Sequence, residues 1–174
     1  LNRAENMKQS SGNIPFKSFS HQIVFRHVEF SFSEDKHVLQ KIDLVIQKGN
    51  MIAIVGKSGA GKTTVLDILM GFYSPNKGEV LIDSQKLSVF EIKSWRKKIG
   101  YVPQEPILFN SSIRDNLLWS NPDATEQDIS SVCEIVDANE FIDILPKKLD
   151  SMVGEQGIKL SGGQRQRISL ARAL

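Results

Sequence analysis

What this sequence lacks narrows its options before any motif is considered. Its 174 residues contain one cysteine, Cys133, so no internal disulfide can form and a disulfide-stapled secreted scaffold is excluded. A reducing compartment such as the cytoplasm is the default expectation. An excess of one charge is also missing: 22 Lys and Arg face 20 Asp and Glu, a formal net charge of +2 that creates no field for recruiting nucleic acid. Long apolar runs are absent, and stretches such as Met51–Val55 fall far short of the roughly 20 residues a bilayer span needs. Leu1-Asn2-Arg3 supplies neither an initiator Met nor a leader, and reads as the start of a piece of a longer polypeptide. Any membrane part is expected upstream or on another chain. His21, His27 and His37 are too scattered for a metal site.

What is present suffices for one globular domain, with 40% hydrophobic content. Residues 1–20 are mostly polar and read as a linker or arm, so the domain is placed at 21–174. Ile23–Phe32 partly alternates apolar and polar residues, as a half-buried strand does, and Ser33–Lys36 reads as a turn. Ile42–Ile46 and Met51–Val55 are β-rich runs joined by Gln47-Lys48-Gly49-Asn50. The second run is apolar throughout, which predicts a strand buried on both faces of a parallel sheet. Val65, Leu66, Leu69 and Met70 then fall at helical spacing, with Gly71 where a C-terminal cap belongs. Gly78–Asp83 and Ile99–Pro103 predict further strands around a basic helical stretch at Trp95–Lys98. An inserted helical subdomain is predicted at about 112–164, where Thr125 and Asp128 form a capping-box pattern ahead of Ile129, Val132, Cys133 and Val136. Cys133 is read as a small hydrophobe on that helix's apolar face.

Between the apolar run and the helix lies Gly56-Lys57-Ser58-Gly59-Ala60-Gly61-Lys62-Thr63, followed by Thr64, a match to the phosphate-loop pattern in the strand–loop–helix context the chemistry requires. Its glycines let backbone N–H groups curl inward, and the helix N-terminus adds positive dipole character. Lys62 supplies a point charge for the β- and γ-phosphates, and the Thr63 hydroxyl suits a magnesium ligand. The alternative is a glycine-rich turn that merely joins strand to helix, with Lys62 solvated.

Downstream, Leu160-Ser161-Gly162-Gly163-Gln164 resembles the signature motif of ATP-binding cassette (ABC) ATPases, and Tyr101-Val102-Pro103-Gln104 resembles their Q-loop. The resemblance runs from about Ile23 to Leu174. It implies an α/β fold: a P-loop NTPase, RecA-like core with an N-terminal antiparallel β subdomain and an inserted helical subdomain. It further implies ATP with Mg2+ as ligands, Lys62 and Gln104 in catalytic roles, and Thr63 and Gln104 at the metal. Two cassettes would pair head to tail, so that Ser161, Gly162, Gly163 and Gln164 meet the γ-phosphate held by the partner's loop. Read alone, Gln104 could be an ordinary strand-end residue, and Ser161–Gly163 a cap on the last helix. Phe32 lies where many members carry an aromatic that stacks on adenine; a packed strand aromatic is the alternative.

Val153-Gly154-Glu155-Gln156-Gly157 resembles the loop that exporter-type cassettes set against their membrane helices, and Ser112–Asn116 with Asn121–Thr125 is similar to exporter sequences. The implied protein is the cytoplasmic ATPase domain of an exporter, with a second identical or different cassette and a transmembrane domain, on this or another chain, as partners. The strand ending in a magnesium aspartate, the general-base glutamate and a histidine loop are not found, so the C-terminal part of the core is expected to be missing and this chain to turn over ATP negligibly alone. A soluble ABC clamp on DNA or a ribosome is the other class, without the long heptad insertion such proteins usually carry. A non-hydrolysing nucleotide-binding subunit is a third.

Overall fold

The computed structural model describes residues 12–33 and 36–174, which divide into two compact units, one ending at Ile99 and the other running from Gly100 to Leu174. In the first, β1 (Gln22–Ser33) and β2 (Lys36–Gln47) pair antiparallel, and β3 (Lys77–Ile82) and β4 (Gln85–Lys86) extend the sheet in the order β2-β1-β3-β4. Helix α1 (Lys62–Leu69) buries Val65 and Ile68, and α2 is the short helix Ile92–Arg96. The predicted N-terminal antiparallel sheet is therefore present.

A bulge in β1 explains why its alternation is only partial. Ile23 and Phe25 face the core, and so do Val28 and Phe30, an odd-to-even switch that a regular strand cannot make. His27 absorbs it at φ 47, where the β1–β2 register shifts. Both its backbone N–H and its Nδ1 lie 2.8 Å from the Asp43 carboxylate. That pairing, led by the backbone hydrogen bond, holds the Asp43 carboxyl below its ordinary range.

Two predicted strands do not form. Met51–Val55 carries no β-bridge among the described residues, and Met51 is 99% and Val55 88% exposed. Residues 99–103 also lack a ladder, and Tyr101 is exposed. An apolar run can specify two buried faces, but a strand exists only where neighbouring backbone accepts and donates its hydrogen bonds. The connection before Met51 does turn: Gly49 adopts φ 82, and the Asn50 N–H donates to the Gln47 carbonyl at 3.2 Å.

Residues 1–11 of the expected arm, and Glu34-Asp35 of the expected turn, lie outside the described residues. Residues 12–20 run along the first unit. Ile14 bridges to Phe90, and Phe16 is buried against Phe90 and Trp95. The Asp83 carboxylate accepts the successive backbone N–H groups of Ser20, His21 and Gln22.

The second unit is helical: α3 (Ile113–Leu118), α4 (Glu126–Ile135), α5 (Asn139–Ile142) and α6 (Gly162–Ala173) enclose a core that includes Leu108, Ile113, Ile129, Phe141, Val153 and Ile168. Thr125 and Asp128 form the predicted capping box, and Ser112 with Asp115 forms another. Cys133 is buried as the helical spacing predicts, and burial pushes its thiol pKa up. Arg114 pairs with Glu126 and with Asp150 at 2.8 Å, which joins the starts of α3 and α4 to the turn at 148–150. Among the described residues, no helix is long and apolar enough to cross a membrane.

Candidate phosphate-binding site

The loop Gly56–Thr63 has a conformation that its composition permits and few others would. Gly59 and Gly61 adopt φ +78 and +84, the left-handed region where a side chain is strained. At Gly61 a Cβ would also lie 2.7 Å from Leu39 Cδ2 and 3.2 Å from the Val38 carbonyl oxygen. The turn closes through Ala60 N–H donating to the Lys57 carbonyl at 3.2 Å. Beyond it, α1 starts on Gly61 without a side-chain cap and without an acidic residue in its first turn. The helix start thus carries its positive end with no anionic side chain of its own.

Lys62 folds back over the loop, its Nζ donating to the Gly56 and Lys57 carbonyls at 3.0 and 2.9 Å. Thr63 is exposed beside it, while Thr64 is buried and, with Val65 and Ile68, roots the helix in the core. At the far end α1 stops in a Schellman motif. Gly71, at φ +70, donates to the Ile68 carbonyl at 2.9 Å, and Phe72 to Asp67 at 2.8 Å.

Phe32 is neither a core ring nor an isolated one. It is 42% exposed, with its centroid 5.0 Å from Phe30 and 5.4 Å from Tyr73, both edge-on, and with Lys36 Nζ 5.9 Å from its centre. Tyr73 was not identifiable from the sequence as its neighbour. The available signal was its place directly after the helix stop at Gly71, which returns the chain beside β1.

The remaining predicted site residues are in the second unit. Gln104 is exposed in an irregular segment. Ser161 and Gln164 form a capping box: Ser161 Oγ accepts the Gln164 N–H at 3.3 Å, and Gln164 Oε1 accepts the Ser161 N–H at 2.8 Å. The hydroxyl proton of Ser161 is not used in that exchange. Gly162 and Gly163 are exposed, neither has a positive φ, and a Cβ would meet nothing within 4 Å at Gly163 and only Arg165 at 3.9 Å at Gly162. Neither backbone strain nor internal crowding accounts for glycine there.

Just before them, Gly154, Gln156 and Gly157 all adopt positive φ, at 77, 50 and 75, around an exposed Glu155. The basic series of α6 is tied inside this unit. Arg165 donates to the Leu160 carbonyl, Arg167 to Asp137 and Glu140, and Arg172 to Ile107, with burial lowering the Arg172 pKa. No group of three His, Cys, Asp or Glu among the described residues could hold a metal.

Comparison with known proteins identifies the family. A family model described as ABC transporter matches residues 39–174. The chain is 42% identical, over 94% of its length, to the heterocyst differentiation ATP-binding protein HepA of Nostoc sp., and covers 27% of that protein. It is 45% identical, over 87% of its length, to ABC transporter B family member 21 of Arabidopsis thaliana, covering 12% of it. Among solved structures, a bacterial Atm1-family ABC exporter with ATP bound matches with a TM-score of 0.87 at 35% identity, over 92% of this chain and 29% of that one. The chain therefore spans less than a third of the length of each relative.

Proposed function

Because the chain belongs to the ABC transporter family, we propose that it binds ATP with magnesium and, paired with a second cassette and a transmembrane domain, powers export across a membrane from the cytoplasmic face. The observation that carries this reading is the phosphate loop: two left-handed glycines lead into a helix start with neither a capping side chain nor an acidic residue. An anion supplies what that helix end lacks.

In this reading Gly56–Thr63 wraps the phosphates with backbone N–H groups, and Lys62 turns an ammonium proton from a loop carbonyl to a phosphate oxygen. Thr63 offers an exposed hydroxyl, a hard oxygen donor suited to magnesium, with Gln104 as a further candidate ligand. Bound magnesium would neutralise charge that builds on the terminal phosphate. Phe32 offers adenine a half-exposed ring already braced by Phe30 and Tyr73.

The signature segment has a separate task. With no internal reason for glycine at 162 and 163, close approach of an outside group accounts for both, and the unused Ser161 proton can reach an oxygen of the partner's γ-phosphate. Glu155 and Gln104 are proposed to pass nucleotide-driven closure to the transmembrane domain. A soluble clamp on DNA or ribosomes draws no support from the relatives named above, of which one is a transporter and one an exporter by description and the third an ATP-binding protein.

The test is a titration of the chain with a fluorescent ribose-labelled ATP in the presence of magnesium. Lys62→Ala removes charge-assisted hydrogen bonds and should weaken binding by about tenfold or more. Equal affinity of the two chains would remove Lys62 from the phosphate site.

A further inference from the structure

The phosphate loop is built on glycines, which fix no position by themselves, so its placement depends on how α1 is held. We propose that Trp95 and Arg96, seated by Phe16, are positioning residues that set α1, and with it the phosphate loop, from the opposite end of the helix. The proposal rests on the ATP-binding reading given above.

The last carbonyls of α1 are gripped one after another. Trp95, 3% exposed, donates its indole N–H to the Leu69 carbonyl at 2.8 Å. Arg96 donates through Nε to Met70 at 2.9 Å and through a terminal nitrogen to Gly71 at 2.8 Å. The guanidinium also lies 4.4 Å from the centre of the Phe72 ring. Helix C-terminal carbonyls lack intrahelical partners, and a cation there complements the dipole, so this end of α1 has one planar fork and one rigid indole fixing its direction. The fit is close: a Cβ at Gly71 would come within 2.1 Å of Ile92 Cδ1 on the same helix α2.

Trp95 is itself held by the segment that enters the unit. The Phe16 ring lies edge-on to it at 4.7 Å and to Phe90 at 5.3 Å. The Phe16 N–H donates to Ser94 Oγ at 2.7 Å, while Ile14 exchanges backbone hydrogen bonds with Val89 and Glu91. A continuous set of contacts therefore runs from residues 14–16 through Trp95 to the carbonyl end of α1, whose other end is Gly61. The helix is about 12 Å long at 1.5 Å per residue, so a small rotation where it is gripped displaces the loop. Phosphate ligands are sensitive to displacements on the ångström scale.

The experiment uses the 174-residue chain and the ribose-labelled ATP with magnesium, together with amide hydrogen exchange. Arg96→Gln should raise the Kd about fivefold, Phe16→Ala by less, and Arg96→Lys, which keeps the charge without the fork, should recover only part of the loss. Both loss variants should speed exchange along residues 62–72. Ile129→Val, which destabilises the second unit, should leave Kd and that exchange unchanged. Affinities within twofold of the unmodified chain, or unaltered exchange along α1, would overturn the proposal. If the unmodified chain does not bind the nucleotide, the ATP reading fails by itself, and exchange along α1 still decides whether Trp95 and Arg96 hold that helix. Where a variant unfolds, Arg96→Lys and Phe16→Leu supply the same comparison at lower cost.

Discussion

Three helices of the second unit begin with a side chain that closes on its own first turn, at Ser112, Thr125 and Ser161, whereas α1 of the first unit begins on a bare glycine. The difference separates helix starts capped by the chain's own side chains from one that no side chain caps. It also separates two uses of glycine. Gly59 and Gly61 sit where L-residues are strained, while Gly162 and Gly163 sit in ordinary helical geometry with room for a side chain. The first pair shapes the loop. The second pair has no such internal cause, and close approach of an outside group is the role proposed for it.

That comparison can be broken in several places. The largest stability effect is expected at Asn116, which is fully buried in the otherwise locally specified second unit. Its side chain accepts from the Phe109 N–H at 2.8 Å and donates to the Phe109 and Ser112 carbonyls at 3.0 and 2.9 Å. Asn116→Leu leaves these groups unpaired and should cost about 3 kcal/mol in denaturant unfolding. A loss below about 1 kcal/mol would show that the turn at 109–112 does not depend on it.

Next in size are the two glycine pairs. Gly61→Ala should destabilise by about 2 kcal/mol, combining left-handed strain with the Leu39 contact, and should weaken nucleotide binding. Gly163→Ala should leave the unfolding midpoint unchanged or slightly raised, by about 0.5 kcal/mol, yet weaken ATP-dependent pairing of cassettes measured by light scattering. Equal destabilisation by both substitutions would erase the distinction.

The smallest effect is the helix cap itself. Thr125→Ala should cost about 1 kcal/mol. Hydrogen bonds from the Thr125 backbone and side chain hold the Asp128 carboxyl below its ordinary 3.8. A depressed folded value means the cap's contribution is fully present above the unfolded pKa and is lost as pH falls through the folded one. Below about pH 3.8, then, the stability gap between Thr125→Ala and the unmodified chain, followed by circular dichroism, should narrow; a constant gap would separate the cap from the ionised carboxylate.

Motifs and caps were legible in the sequence because each is a local pattern with a local cause. The capping box at Thr125 and Asp128, the buried Cys133, the helix stop at Gly71 and the phosphate loop all follow from residues within a few positions of one another. The bulge at His27 was visible only as imperfect alternation, since its cause is the Asp43 carboxylate on the neighbouring strand. The pairing of Phe32 with Tyr73 had no local signal beyond the glycine that turns the chain.

The sequence by itself determined the glycine loop, the helix it opens, the signature segment and the family, because fixed spacings suffice to place backbone N–H groups, a lysine and a hydroxyl together. Tertiary structure alone decided that Phe16 belongs to the first unit's core and that Trp95 and Arg96 grip the far end of α1. Ladders, ring packing and side-chain grips on distant carbonyls depend on groups far apart in the chain, and their partners are set only when the chain has folded.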